Sequence, residues 1–196
     1  TIFQHDRDYL AFERILAEVQ ERIPMRILAW CLMPNHWHLL VWPRKDRDLS
    51  EYMRFVTVTH TQRLHAFRKS TGTGHVYQGR FKSFVVQEDG HFLAVARYVE
   101  ANALAAGLAE RAEGWRWSSA WRVQRGQPDQ APCLEPWPVN RPSDWLAYVN
   151  REPERTELDR LRLCGRRGCP YGEEAWVQGI ARQLGLESTL RSRGRP

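Results

Sequence analysis

Ile27-Leu28-Ala29-Trp30-Cys31-Leu32-Met33-Pro34-Asn35-His36-Trp37-His38-Leu39-Leu40-Val41-Trp42 holds two apolar runs of strand length. Pro34-Asn35 between them is a pair that favours a tight turn. The stretch predicts a β-hairpin with strands over 25–33 and 36–42. Side chains alternate between the faces of a strand, so His36 and His38 project to one side and Trp37 points to the other, into a core. Two imidazoles one residue apart on one face are a candidate pair of metal ligands. The same spacing also suits a hydrogen-bonded structural histidine.

Working outward, Tyr9, Phe12, Ile15, Leu16, Val19 and Ile23 recur at helical spacing and predict a helix over 6–23. Tyr52, Met53, Val56 and Leu64 do the same over 49–68, where His60 and His65, five apart, read as surface or boundary residues. A turn at Thr71-Gly72-Thr73-Gly74, a strand over 75–87 and a helix over 89–110 follow, the last capped by Asp89. In that helix Phe92, Ala96, Val99 and Ala103 form the buried stripe. Tyr98 and Asn102 lie outside it and, four apart, share a face with Cβ atoms about 5–6 Å from each other, so a phenol and an amide oxygen can serve one site. A tyrosine that caps the core with its ring is the alternative.

Four segments in this order carry a resemblance: Met33-Pro34-Asn35-His36-Trp37-His38, Gln78-Gly79-Arg80-Phe81-Lys82-Ser83, Arg97-Tyr98-Val99-Glu100-Ala101-Asn102 and Trp117-Ser118-Ser119. Over about Thr1 to Trp121 the chain resembles the single-tyrosine HUH transposases, in particular the REP-associated tyrosine transposases, relatives of the transposases of small bacterial insertion sequences. The resemblance implies an α+β, ferredoxin-like fold of βαββαβα order, an antiparallel sheet with packed helices. It implies His36, His38 and Asn102 as ligands of a divalent metal, Mg or Mn, and Tyr98 as the nucleophile that becomes joined to a DNA 5′ phosphate. Two departures stand out. Ala103 follows Asn102 where relatives have proline, and alanine lets the helix continue. The family's first strand has no counterpart before the first helix; the expectation is a record trimmed at its N-terminus.

Composition agrees with a nucleic-acid partner. Lys and Arg number 29 against 23 Asp and Glu, a net charge of +6, and the pI is near 9.5. In a strand, Arg80 and Lys82 share a face and could track a DNA backbone, while His75 and Tyr77 could stack on unpaired bases, core packing being the default for the tyrosine. Trp115, Trp117 and Trp121 are expected to close the core.

The domain reading is a catalytic domain over 1–122, a Pro-rich linker over 123–142 and a small helical, basic C-terminal extension over 143–196, with short helices within 143–149, 152–190 and 173–184. Arg191, Arg193 and Arg195 make its end basic, and Arg193-Gly194-Arg195-Pro196 is similar to an AT-hook core. Cys31, Cys133, Cys164 and Cys169 form no zinc pattern and read as reduced thiols. No apolar stretch approaches about 20 residues. The expectation is a cytoplasmic, nucleoid-associated bacterial protein with no membrane partner, monomer or homodimer. It cleaves and transfers single-stranded DNA at hairpin, inverted-repeat or REP-like elements. A domesticated, non-cleaving DNA-binding protein is the competitor, and a metallohydrolase attacking with water is a third reading.

Overall fold

Met33 and His36 close the predicted hairpin: β1 (Arg26–Met33) pairs antiparallel with β2 (His36–Trp42) across Pro34-Asn35, with Cys31 opposite His38 and Leu32 opposite Trp37. A register shift between Ile27 and Ala29 marks a bulge in β1. In this computed structural model the described residues are 1–70, 72, 74–126 and 131–191. They fall into two units, Thr1–Arg80 with Val99–Trp137 and Phe81–Tyr98 with Pro138–Pro196. The mixture of an antiparallel sheet and packed helices is α+β, consistent with the expected ferredoxin-like class.

In the first unit, α1 (Asp6–Arg22) and α2 (Asp48–Arg68) bury one face of the hairpin. Phe12, Ile15 and Leu16 from α1, Tyr52 and Val56 from α2, and Trp30 and Leu32 from β1 are all fully buried there. Each such side chain contributes about 1.5–3 kcal/mol by leaving water. Asp8 sets the start of α1 by accepting from the backbone N–H groups of Gln4 and His5 at 2.8 and 3.2 Å. The turn is fastened as well, since Pro34 O accepts from the N–H groups of Ile2 and Phe3 at 2.8 and 3.0 Å.

The edge of β1 away from β2 is covered by two short pieces of chain. Leu32 N–H donates to Trp117 O at 2.8 Å beside a Cys31–Ser118 antiparallel bridge, and Glu135 N–H donates to Ile27 O at 2.9 Å beside a parallel Ile27–Leu134 bridge. Trp117 stacks on Tyr9 with ring centroids 4.8 Å apart, and Trp115 Nε1 donates to Leu32 O. The expected core-closing role is therefore met by Trp115 and Trp117. Ser118 caps α5 (Ser119–Arg125).

Three local expectations fail. Residues 75–85 form no strand, and Val86 alone makes a parallel bridge, to Tyr171. Gly74 and Gly79 weaken any strand here, and no neighbouring strand among the described residues pairs with the segment's aromatic and β-branched side chains. The helix over 89–110 is broken at Ala101 (φ −83°, ψ −2°) into α3 (Gly90–Glu100) and α4 (Asn102–Ala105). His60 is 3% exposed rather than superficial: its ring packs on Phe3 and Phe12, and its Nδ1 lies 2.6 Å from the Tyr77 hydroxyl. A buried imidazole with a hydrogen-bond partner is an ordinary core residue.

The second unit holds most of α3, whose Asp89 cap accepts from His91 N–H at 2.8 Å as expected. With it are α6 (Trp145–Val149), α7 (Arg155–Arg167), α8 (Glu174–Leu184) and α9 (Glu187–Leu190), the expected C-terminal helices. Arg97, 7% exposed, donates to Arg151 O at 2.7 Å and lies over the Tyr148 ring, which ties α3 to these helices. The division between the units falls inside α3, between Tyr98 and Val99.

Candidate functional site

His36 and His38 follow the hairpin turn directly, and the pleat sends both to the face of β2 opposite Trp37. Their Nε2 atoms lie 3.1 Å apart, with the rings edge to face. Two nitrogens about 2.0–2.2 Å from one ion, at right angles about it, stand about 2.8–3.1 Å from each other. The pair therefore has the spacing of two adjacent ligands on one ion. Burial lowers the pKa of His36, and burial together with its neighbour pushes that of His38 down to about 4. Both are neutral at pH 7, the form that offers a lone pair to a cation.

Cys31 stands opposite His38 and so shares its face of the sheet. Its sulfur takes a hydrogen bond from the backbone N–H of Ala103, and burial raises its pKa to about 12, leaving it an inert thiol. That bond carries α4, which begins with Asn102, to the face of the hairpin shared by Cys31 and His38. The half-buried Asn102 side chain is thus on an element packed over the expected face. Among the described residues, no three His, Cys, Asp or Glu side chains form a group that could hold a metal, so a third protein ligand would have to be of another kind, such as the Asn102 amide.

Tyr98 is half-buried on the last turn of α3 and belongs to the second unit, whereas His36, His38 and Asn102 belong to the first. His75 and Arg80 are exposed in the first unit, and Lys82 is exposed in the second. Since no strand forms there, Arg80 and Lys82 do not share a strand face. Tyr77 is half-buried, with its ring edge-on to Trp37 and its hydroxyl held by His60, so core packing, the default for this side chain, is what it does. Arg191 is exposed; Arg193 and Arg195, with the AT-hook-like tetrad, lie outside the described residues.

Three polar residues were not singled out from sequence. Asn35 Oδ1 lies 2.7 Å from His36 Nδ1. Glu100, fully buried, accepts from Ser119 Oγ at 2.7 Å. Arg97 ties α3 to the C-terminal helices, as described. The available signals were an Asx residue directly before a histidine, and charged residues at helical positions flanked by the apolar stripe. In the second unit an open cleft of about 520 Å³ is lined in part by Asp89, His91, Glu157 and Tyr171. Asp89 there pairs with His91 at 2.8 Å and Glu157 with Arg97 at 3.4 Å. None of the described helices is long and apolar enough to cross a membrane.

A family model described as IS200-like transposase matches residues 1–102, a span that runs from the N-terminal segment through the hairpin and ends on Asn102. No curated protein and no solved structure matches the chain.

Proposed function

Because the chain belongs to the IS200-like transposases, DNA-processing proteins, we propose that it is a metal-dependent single-strand DNA endonuclease and strand transferase of the REP-associated tyrosine kind. It acts at hairpin or REP-like elements, as a monomer or homodimer. The observation that carries this reading is the 3.1 Å separation of the two histidine Nε2 atoms at the start of β2. With the Asn102 amide as third ligand, they would hold Mg²⁺ or Mn²⁺ and leave positions open for substrate. An ion held there would supply Lewis-acid polarisation of a scissile phosphate.

Tyr98 supplies the nucleophile. Its phenol oxygen forms a bond to phosphorus as the bond from phosphorus to the 3′ oxygen breaks. The phenolic proton leaves, and the departing oxygen takes one up as a free 3′-OH. The phosphotyrosine conserves the bond energy, so joining to a second strand needs no nucleotide cofactor. Exposed Arg80, Lys82 and His75, with Arg191, Arg193 and Arg195 in the tail, supply positive charge for the DNA backbone.

The test is incubation with labelled single-stranded hairpin DNA and Mn²⁺, followed by a denaturing gel. A covalent adduct on a 5′ phosphate that is lost in Tyr98→Phe, with hairpin affinity kept, is the expected result. Cleavage by the Phe variant at the parent rate would assign attack to water. Tight hairpin binding with no cleavage by either protein would make the chain a non-cleaving binder.

A further inference from the structure

We propose that Asn35 is a positioning residue for the two-histidine pair, fixing the tautomer of His36 so that its Nε2 lone pair is free for a cation; this rests on the reading of His36 and His38 as ligands. Asn35 Oδ1 and His36 Nδ1 are 2.7 Å apart. An amide oxygen can only accept, so Nδ1 carries the hydrogen and Nε2 is left bare. Free imidazole side chains favour the opposite tautomer, with the hydrogen on Nε2. The bond to Asn35 at Nδ1 therefore reverses an intrinsic preference and leaves bare the other nitrogen, Nε2, which lies 3.1 Å from His38 Nε2.

The hairpin holds Asn35 in place for this. It is the second residue of a two-residue turn, closed by the Met33–His36 pair and pinned through Pro34 O to the N–H groups of Ile2 and Phe3. Its own backbone makes no special demand: among described non-glycine residues only Arg47 and Lys69 have positive φ. Replacing Asn35 therefore changes the acceptor without straining the turn. Ligating histidines in general have their second nitrogen oriented by such a partner, and losing it costs about 10–100-fold in metal affinity.

The experiment uses the full chain in three forms: parent, Asn35→Ala and Asn35→Asp. Long-range ¹H–¹⁵N spectra of the metal-free proteins report the tautomer of His36, and calorimetric titration with Mn²⁺ reports affinity. The expected parent has His36 protonated on Nδ1. Asn35→Ala shifts the ring toward Nε2–H and binds Mn²⁺ about 10–100-fold more weakly, while Asn35→Asp, which keeps an acceptor, retains both the tautomer and the affinity. An Nε2–H His36 in the parent, or equal Mn²⁺ affinity in parent and Ala variant, overturns the role of Asn35 alone. A parent that takes up no Mn²⁺ overturns the two-histidine ligand reading, and this proposal with it.

Discussion

Arg122 Nη2 donates to Glu13 Oε1 at 2.7 Å, and the two side chains are 2% and 5% exposed, so an ion pair is sealed between α1 and α5, 109 residues apart in sequence. Burial raises the Glu13 pKa, with Arg122 opposing the shift. Arg122 Nε and Nη1 have no hydrogen-bond partner among the described residues, so the pair offsets its desolvation only in part. Removing one partner strands a buried charge. Glu13→Gln or Arg122→Met should each cost about 3–5 kcal/mol in urea unfolding, and replacing both with apolar residues of similar volume should cost much less.

His60 gives the fold an acid limit. Burial pushes its pKa down to about 4, against an ordinary value of 6.5. A group whose folded pKa is depressed contributes its full share above the unfolded value and loses it as the pH falls. Here the loss runs from about pH 6.5 to about 4 and amounts to about 3 kcal/mol. His60→Gln keeps a partner for Tyr77 and removes the titration. Urea midpoints between pH 7 and 4 should fall less steeply for the Gln variant than for the parent.

Two glycines in one helix should respond in opposite directions to alanine. Gly165 lies inside α7 with nothing within 4 Å of an added Cβ, so Gly165→Ala should stabilise by about 0.5–1 kcal/mol. Gly168 ends the same helix at φ +72°, and an added Cβ would stand 3.4 Å from Ser83 O. Gly168→Ala should cost about 1–2 kcal/mol. Thermal unfolding of the two variants beside the parent checks both signs.

The hairpin was legible because two apolar runs of strand length flank a Pro-Asn turn, and α1 and α2 because their apolar residues recur at helical spacing. The segment 75–87 was misread as a strand because its aromatic and β-branched residues suggest pairing, whereas strand formation needs a neighbour that sequence does not reveal. The break at Ala101 was invisible for the opposite cause: alanine is compatible with unbroken helix, so nothing local marked it. His60 read as a surface or boundary residue because only its spacing from His65 was weighed, and its partner Tyr77 lies 17 residues away. At the site, alternation alone put His36 and His38 on one face. What sequence lacked was the bond from Asn35, which decides which nitrogen of His36 carries the proton.

The metal reading makes a claim that needs no DNA. If His36 and His38 supply adjacent nitrogens to one ion, His36→Ala and His38→Ala should each remove most Mn²⁺ or Mg²⁺ uptake in a calorimetric titration. Asn102→Ala, which deletes an amide oxygen and leaves both imidazoles, should weaken uptake less. His60→Gln is the control, since its imidazole is spent on Tyr77 in the core, and its uptake should match the parent's. Chelator should stop strand cleavage by the parent, and added Mn²⁺ should restore it. Uptake that survives in the His36→Ala/His38→Ala double variant would place the cation elsewhere and would leave the 3.1 Å contact as a hydrogen bond between two neutral imidazoles.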